Sequence, residues 1–281
     1  MATVTVVGSV NLDLVATCER LPRPGETVSA GSLARYPGGK GANQALASRR
    51  AGADVSLIAA VGGDREADVA LSHLRADGVD LGAAIVTDEP TGTALITVDA
   101  RGENQIVVVP GANAHLTPDR VDVSEADLVL CQLEIPMEAV RAAAASATGM
   151  FCLNTAPARD IPDEVLDRAD LLIMNEGERD LLRDTLTDVH ALVVVTLGAA
   201  GAKAYRSGRL VAEAHPPPVT VVDTVGAGDA FCGTLVVALM SHDSLASALR
   251  WACAAGALAT TKVGAQPSFP WAAEVRAAVQ R

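Results

Sequence analysis

The sequence predicts an α/β protein: a mostly parallel sheet with helices on both faces, plus a small β-sheet lid. Three features indicate this class. Short, continuous apolar runs alternate with helical stretches, which is typical of parallel strands buried on both sides. Most of these runs end in glycine or polar residues, at the edge where open α/β sheets bind ligands. Two other segments alternate polar and apolar residues, as half-exposed strands do.

The elements follow in order along the chain. The predicted strands are "TVTVVGSV", "VSLIAAVG", "DLVLCQLE", "MFCLNTAP", "DLLIMNE", "ALVVVTLG" and "VTVVDTV". A hairpin is predicted for "GAKAYRSGRLVAEA", turning at Ser207-Gly208. Helices are predicted for "GANQALASRRAGA", 64–76, the Ala-rich stretch after Pro136, 163–168, 176–186, 228–240, 243–262 and 270–280.

The two segments that break this rhythm lie at about 12–36 and 91–109. The first contains Pro and Gly turns, and the second reads as a hairpin through "DARGEN". We expect both to form half-exposed antiparallel strands. Together they predict a lid that is made from two separated inserts.

Composition and charge exclude several classes of protein. The formal net charge is −12, whereas nucleic acids and anionic membranes need a basic surface. No run reaches eighteen apolar residues, and the first ten residues lack the basic region of a signal peptide. The five cysteines show no CxxC spacing and are expected to be small buried side chains. We therefore expect a cytoplasmic protein without a nucleic-acid or membrane partner.

Common phosphate-binding signatures are missing. In "GGKG", 38–41, a glycine follows the lysine where a P-loop needs Ser or Thr. "GAGDAFCG" does not fit the GxGxxG spacing, which argues against a dehydrogenase, and no GxSxG elbow is present.

The stretch "DTVGAGDAF" nevertheless has the chemistry of an anion site. Gly226, Ala227 and Gly228 lie where a predicted strand meets a helix that begins near Asp229. Backbone N–H groups at such a helix start stabilise negative charge, as on a transferring phosphoryl group. Asp229 at the rim is placed to accept a proton from an attacking hydroxyl. The alternative for Asp229 is an ordinary helix N-cap.

Two clusters near the N-terminus offer groups for a polyol. Asn11 and Asp13 follow the first strand on one face, and an Asx-turn is the alternative. Gly39, Lys40 and Asn43 come at the start of a helix, where a loop with a cap is the alternative.

Three further clusters follow strands. Glu134 ends one strand and is alternatively a solvated loop carboxylate; Asn175 and Glu178 suit water-mediated Mg²⁺ binding or form a capping box. "TLGAAG", 196–201, either contacts a nucleotide or turns the chain. Because all these clusters fall at the carboxyl ends of predicted strands, we expect one shared active site.

These residues resemble the ribokinase-like (PfkB) carbohydrate kinase family, and within it the kinases of ribose. "GGKGANQA" and "DTVGAGDAF" are similar to the two signature regions of that family. "GSVNLD", "PRPGETV", "GENQIVVVPGAN", "QLEIP", "LNTAPARDIPDEVL" and "GAQPSFPW" are also similar to it, in the same order, along almost the full length.

The resemblance implies one Rossmann-like domain over 1–281 with a β-sheet lid, and a homodimer formed through that lid. It implies MgATP-dependent phosphorylation of D-ribose at O5, with ATP and Mg²⁺ as cofactors and K⁺ as a monovalent activator. Two alternatives stay open: a kinase for 2-deoxyribose or another pentose or nucleoside, and a sugar sensor without catalysis. An intact base and anion site argue against the sensor.

Residue roles are carried over by position. Asp229 is implied as the base, with Gly226, Ala227 and Gly228 as the anion hole. The implied ribose contacts are Asn11, Asp13, Gly39, Lys40, Asn43, Glu134 and Asp229. The implied nucleotide and Mg²⁺ contacts are Asn175, Glu178, Thr196, Gly198, Gly201, Gly228 and Cys253. The implied monovalent-cation ligands are Asp223, Val225, Ala259, Lys262, Gly264 and Ser268.

One departure from the family is visible. Between Asn175 and Thr196 there is room for one helix, where the family usually has two. We expect one flank of the sheet to be thinner on the nucleotide side.

Overall fold

The computed structural model describes residues 3–186, 189–241 and 244–280. Its strands are β1 Thr3–Val7, β2 Asn11–Thr17, β3 Ser32–Gly38, β4 Asp54–Ile58, β5 Ala60–Gly62, β6 Ile85–Thr87, β7 Gly92–Val98, β8 Asn104–Val109, β9 Leu128–Cys131, β10 Met150–Asn154, β11 Leu171–Asn175, β12 Leu192–Thr196, β13 Ala202–Arg206 and β14 Arg209–Ala214. Its α-helices are α1 Lys40–Arg50, α2 Arg65–Ala70, α3 Ser72–Ala76, α4 Met137–Ser146, α5 Asp163–Arg168, α6 Glu176–Leu181, α7 Ala227–Ser241, α8 Leu245–Ala259, α9 Ala265–Ser268 and α10 Ala272–Val279.

The main sheet is mostly parallel, as the sequence predicts. Its strand order is β14-β13-β12-β11-β10-β9-β1-β4. All pairs from β4 to β12 are parallel, and the β12-β13-β14 edge is antiparallel. The predicted hairpin turns at Ser207 and Gly208, both at positive φ.

Helices cover both faces of this sheet. In β9, Leu128 and Leu130 pack in the core cluster that contains α1, α7 and α8 residues. Val129 and Cys131 belong to the opposite cluster with α4 and α5 residues. Because alternate residues of a strand face opposite sides, a run that is apolar throughout is what a doubly covered strand requires.

A separate four-stranded sheet has the order β3-β2-β7-β8. It is formed by the two segments that break the sequence rhythm. The β2-β3 and β7-β8 pairs are antiparallel, but β2 and β7 pair in parallel, from Asn11 with Gly92 to Thr17 with Val98. The prediction of antiparallel strands was therefore wrong at this junction, where two hairpins from distant parts of the chain meet side by side.

The helix α7 is buried between α1 and α8 and is apolar on most sides. Gly233 permits its close approach to α1. A Cβ at this position would lie 2.7 Å from the Ala47 Cβ and 2.7 Å from the Gln44 carbonyl oxygen. This contact brings polar side chains of α1 against the first turn of α7.

Several predicted helices end earlier or are divided. Residues 64–76 form α2 and α3, although hydrogen bonds from Leu71 N to Ala67 O and from Arg75 N to Leu71 O continue across the junction. The predicted helix 176–186 is α-helical only to Leu181 and continues as turns. The predicted helix 243–262 is α8, and its first predicted residue, Asp243, lies outside the described residues. Among the residues that the structure describes, no helix is long and apolar enough to cross a membrane.

Candidate active site

Asp229 lies in the first turn of α7 with its carboxylate buried against α1. Its Oδ2 accepts a hydrogen bond from Asn43 Nδ2 at 2.9 Å, and its Oδ1 accepts one from Gln44 Nε2 at 2.9 Å. The helix begins at Ala227, one residue before the predicted range 228–240. The carboxylate therefore contacts side chains of another helix and is not the predicted alternative, an N-cap.

The chain reaches this helix through an extended loop. The predicted strand "VTVVDTV", 219–225, does not form, and its valines 221, 222 and 225 are exposed. The segment finds no strand partner. Instead, the N–H groups of Val222 and Asp223 donate to the Thr260 carbonyl at the end of α8, at 2.8 and 3.1 Å. High β-propensity without a neighbouring ladder is not sufficient for a strand.

The turn into α7 requires glycine. Gly226 has φ of +79°, and a Cβ there would lie 2.6 Å from the Ala265 Cβ. Gly228 has no neighbour within 4 Å of a hypothetical Cβ, so its backbone is open to a ligand. The N–H of Ala227 makes a long hydrogen bond of 3.3 Å to the Thr224 carbonyl. Of the three predicted anion-hole residues, Gly226 and Gly228 line a cavity.

That cavity has a volume of about 200 Å³ and lies between the ends of β10–β12 and the start of α7. It brings together residues from distant parts of the sequence. Its lining is Lys40, Asn154, Ala156, Ile173, Met174, Asn175, Glu178, Thr196, Gly226, Gly228, Asp229 and Cys232.

Asn11 and Asp13 lie on β2 of the small sheet, not at the end of the first main-sheet strand as predicted. The chain leaves the main sheet after Val7 and enters the small sheet through residues 8–10. Asn11 is buried, and its Oδ1 accepts a hydrogen bond from Asn113 Nδ2 at 2.8 Å. Burial, followed by repulsion from Glu134 and Asp229, raises the pKa of Asp13 to about 7.

Glu134 lies at the start of α1, beside the cavity residue Lys40. Glu134 Oε2 accepts from Ser9 Oγ at 2.5 Å and from the Lys40 backbone N–H at 3.1 Å, so Glu134 is not the solvated loop carboxylate of the alternative. Burial tends to lower the pKa of Lys40, but attraction to Asp229 and Glu134 outweighs it and the pKa is raised. Gly39 is the N-cap residue of α1, with φ of +87°.

Burial also has the largest effect on the pKa of Asp229. It raises the pKa of the carboxyl group, against the opposing effects of the Lys40 charge and of the hydrogen bonds from Asn43 and Gln44. The ammonium group of Lys40 is thus attracted by three acids: Asp229, Glu134 and Glu178. Acidic and basic groups of this kind are typical of a site that binds hydroxyls and moves a proton.

Asn175 and Glu178 line the cavity and also form the capping box that was their alternative. Glu178 N donates to Asn175 Oδ1 at 2.8 Å, and Asn175 N donates to Glu178 Oε2 at 2.9 Å. The cap holds both side chains at the end of β11. The structural role therefore coexists with a position on the cavity wall.

The glycine-rich loop is a turn between β12 and β13. Thr196 lines the cavity and donates from Oγ1 to the Met174 carbonyl at 3.3 Å. Gly198 and Gly201 both have positive φ in this turn and do not line that cavity. Cys253 is also outside it, buried in α8 with Sγ 3.6 Å from the Ala214 carbonyl, and burial raises its pKa to about 12.

Three of the predicted cation ligands, Asp223, Val225 and Gly264, are hydrogen-bonded together at the loop before α7. Asp223 Oδ1 accepts from Val225 N at 3.0 Å, and Oδ2 accepts from Gly264 N at 2.8 Å. Ser268 Oγ donates to the Ala265 carbonyl at 2.7 Å. Ala259 is the last residue of α8, where helix carbonyls lack intrahelical partners. The Lys262 ammonium lies 4.0 Å from the Glu274 carboxylate, and its side chain is exposed.

A group of buried amides lies around Asp229 that was not predicted as part of the site. They lie inside motifs that were quoted for other residues: Gln44 in "GGKGANQA", Gln132 in "QLEIP", Asn154 in "LNTAPARD" and Gln266 in "GAQPSFPW". The available signal was a polar amide within an otherwise apolar stretch. Such residues are buried only with hydrogen-bond partners, which makes them candidates for a site.

Comparison with known proteins agrees with this geometry. The chain matches the pfkB family of carbohydrate kinases over residues 1–272. It is 39% identical to the ribokinase of Bacillus subtilis over 295 residues, covering 98% of each chain. The structure of Thermotoga maritima ribokinase matches with a TM-score of 0.92 at 32% identity, covering 100% of both chains. That of Arabidopsis thaliana ribokinase, complexed with ribose and ATP, matches with a TM-score of 0.90 at 31% identity, again covering 100% of both. The chain belongs to the pfkB family of carbohydrate kinases.

Proposed function

We propose that this chain transfers the γ-phosphoryl group of ATP to O5 of D-ribose, giving ribose 5-phosphate and ADP. The support from relatives is that ribokinases match it over nearly the full length, one of them with ribose and ATP bound. The single observation that carries the mechanism is the Asp229 carboxylate beside Gly226 and Gly228 in one cavity with Lys40 and Glu178.

In this proposal Asp229 accepts the proton of the 5-hydroxyl as that oxygen attacks phosphorus. A general base must lie within hydrogen-bond reach of the proton that it takes, and burial suits Asp229 to this task by raising its pKa. Asn11, Asp13, Gly39, Lys40, Asn43 and Glu134 bind the sugar hydroxyls and hold it against the base. We assign this role to them because Lys40 lines the cavity, Asn43 donates to Asp229, and Glu134 accepts from the backbone N–H of Lys40. Asp13 lies near the same charged groups, since it is repelled by Glu134 and Asp229.

The start of α7 stabilises the phosphoryl group. The N–H of Gly228 is among those that the first turn of an α-helix leaves without intrahelical acceptors, and it is directed at charge that develops in the transition state. Ala227 joins the anion hole if its 3.3 Å bond to Thr224 opens when phosphate binds. The nucleotide is proposed to lie along β12, β13 and α8, where it would contact Thr196, Gly198, Gly201 and Cys253.

Asn175 and Glu178 fit a magnesium ion that is carried by the nucleotide. Among the described residues there is no cluster of three or more His, Cys, Asp or Glu side chains able to hold a metal. Mg²⁺ is usually bound by phosphates, water and one or two carboxylates, so a cluster is not required. Glu178, whose side chain accepts from the Asn175 N–H in the helix cap, would hold water that is bound to Mg²⁺, and the ion would neutralise phosphate charge.

Asp223 is the centre of the proposed monovalent-cation site. Its carboxylate already joins Val225 to Gly264, which connects the anion-hole loop with the segment before α9. Carbonyl oxygens of Val225, Ala259, Lys262 and Gly264 and the hydroxyl of Ser268 complete an oxygen-rich set that suits a hard cation. The loop that carries Gly226 and Gly228 would be held in place by K⁺ bound to these oxygens, so the effect of the ion on catalysis would be indirect.

Residues 1–281 form one catalytic domain, with the sheet β3-β2-β7-β8 as its lid, and two chains associate through that lid. A cytoplasmic location accords with five free, buried cysteines.

The test is ADP production with MgATP and a panel of ribose, 2-deoxyribose, fructose and adenosine, each with and without K⁺. We expect turnover with ribose that rises with K⁺. Preference for another sugar would leave the phosphoryl-transfer chemistry in place and contradict the sugar assignment. Ribose binding without turnover on any substrate would favour a sugar sensor.

A further inference from the structure

Two chains of buried amides end on the two oxygens of Asp229. Gln44 donates from Nε2 to Oδ1, and Asn43 donates from Nδ2 to Oδ2, each at 2.9 Å. Gln44 is hydrogen-bonded in turn to Gln132 and Asn154, and Asn43 is hydrogen-bonded to Gln266. None of the proposed roles above accounts for Gln44, Gln132, Asn154 or Gln266.

The orientation of the Gln44 amide is fixed by a backbone carbonyl. Asn154 Nδ2 donates to the Ile173 carbonyl at 3.0 Å, so Asn154 Oδ1 faces Gln44 and accepts from its Nε2 at 2.9 Å. On the other side, Gln132 Nε2 donates to Gln44 Oε1 at 2.7 Å. If the Gln44 amide were flipped, its Oε1 would face two other oxygens, Asn154 Oδ1 and Asp229 Oδ1. Gln44 is therefore held with its donors towards Asp229.

The second chain starts in the proposed cation segment. Gln266 is fully buried between Gly264 and Ser268, and its backbone carbonyl accepts from Arg50 Nη1 at 2.8 Å. Its Nε2 donates to Asn43 Oδ1 at 3.1 Å. The carbonyl end of Asn43 is thereby occupied, and its donor end is directed at Asp229.

If these buried amides served only to stabilise the fold, their burial would carry a free-energy cost. Gln132 Oε1 and Gln266 Oε1 are buried and have no hydrogen-bond partner in the part of the chain that the structure describes. Apolar side chains of similar size would leave no such groups. A carboxylate base, in contrast, depends on its orientation, since a misplacement of about 1 Å costs about a hundredfold in rate.

We propose that Gln44 and Gln266 are positioning residues for the base: Gln44 holds one oxygen of Asp229 directly, and Gln266 holds the other through Asn43. The proposal rests on the proposed function, in which Asp229 takes the proton. Gln266 also links the base to the cation segment, because its side chain and the backbone of Gly264 and Ser268 belong to one short stretch. Neither glutamine is proposed to touch the sugar or the nucleotide.

The experiment compares Gln44→Met and Gln266→Met with Ser48→Ala. Methionine keeps the length of the side chain and removes its donors. Ser48 is the matched control: it is buried on the same helix, and its Oγ lies 2.8 Å from the Gln44 backbone carbonyl and 3.2 Å from the Gly233 carbonyl of α7. Its loss removes a buried hydroxyl at the α1–α7 contact and leaves the amide of Gln44 and its hydrogen bond to Asp229 in place. Thermal unfolding and ribose binding are measured for all three, with kcat and KM.

We expect both methionine variants to lower kcat about tenfold to a hundredfold while KM for ribose and ATP changes less than about twofold. Ser48→Ala should keep kcat within about twofold. In an Asp229→Asn background, Gln44→Met should lower kcat no further, because a residue that acts through the base has nothing left to orient.

A pH profile gives a second readout if Gln44→Met unfolds. Gln44→Glu keeps the shape but places a carboxylate beside Asp229, which already faces Lys40, Glu134, Asp13 and Cys232. The acid limb of kcat/KM should then move to higher pH by about one unit or more.

Three results would overturn the proposal. These are a Gln44→Met kcat equal to that of Ser48→Ala, an additive loss in the Asp229→Asn background, or an unmoved acid limb in Gln44→Glu. If Asp229→Asn alone keeps its turnover, the assignment of Asp229 as the base fails and the positioning role falls with it, whereas a wild-type protein without turnover on any substrate contradicts the proposed function itself. The two failures are therefore distinguishable.

Discussion

At the residue scale, the decisive feature is that one buried carboxylate receives a hydrogen bond on each oxygen and a nearby ammonium charge. Burial raises the pKa of Asp229, whereas Lys40, Asn43 and Gln44 oppose that rise. The balance keeps the group available as a base and fixes its direction. A carboxylate that rotated freely would not present its oxygens in one fixed direction.

The first prediction concerns this carboxylate. Asp229→Asn keeps the shape and removes the base, so kcat should fall by about two to four orders of magnitude while ribose binding changes little. Turnover by ADP release and ribose affinity by calorimetry check it. The control makes the same substitution in an exposed turn: Asp122→Asn should leave both quantities unchanged. Near-normal turnover in Asp229→Asn would remove this residue from the mechanism.

The second prediction uses the pKa of about 7 of Asp13. A raised carboxyl pKa means that the group is protonated below that pH and loses its acceptor character towards sugar hydroxyls. We therefore expect kcat/KM for ribose to fall as pH decreases from 8 to 6, with KM rising. In Asp13→Asn the change in KM for ribose between pH 8 and 6 should disappear. The fall in kcat that comes from protonation of Asp229 should remain. A KM for ribose that is constant in the wild type from pH 8 to 6 would contradict the assignment.

At the element scale, the site depends on how α7 and its preceding loop are held. Gly233 allows α1 to approach α7, and Asp223 ties the loop to the segment before α9. These contacts join residues that are far apart in sequence. The start of α7 is thus fixed from both sides.

The third prediction tests the loop. Asp223→Ala removes the bonds to Val225 and Gly264, so K⁺ should no longer raise kcat and activity should stay at the level measured without K⁺. Turnover over a K⁺ series, with ionic strength held constant, measures this effect. Asp122→Ala is a matched control, because Asp122 also accepts from the backbone N–H two residues ahead, that of Ser124, at 3.1 Å. K⁺ activation that survives in Asp223→Ala would contradict the proposed cation site.

Local patterns predicted the elements better than their partners. The period of β2 and β7 identified two half-exposed strands, but nothing local indicates that they pair in parallel. The valines of 219–225 have strand propensity, yet the segment is hydrogen-bonded to the carbonyl at the end of α8 instead. The sequence marks Gln44 only as a polar amide in an apolar stretch, because its role exists only where α1 meets α7. Site residues at strand ends could be predicted, since that edge is where parallel sheets bind ligands.

At the scale of the whole molecule, the lid presents an apolar edge. All six residues of β8 are exposed, including Ile106 at 52% and Val107 at 62%. Successive residues of a strand face opposite sides, so both faces of this edge strand are uncovered within the chain. An exposed apolar edge strand is a template for pairing with another chain.

The fourth prediction is that two chains associate through β8. Wild-type protein should have twice the 28.7 kDa mass of the chain in light scattering after gel filtration. Val107→Lys should shift it towards the monomer, because a charge on an apolar interface is left without a partner. KM for ribose should rise with this loss, since Asp13 stands on β2 of the same sheet. Val86→Lys, at an exposed valine on β6 outside the lid, should remain dimeric. A wild-type mass of one chain at assay concentration would refute association through the lid.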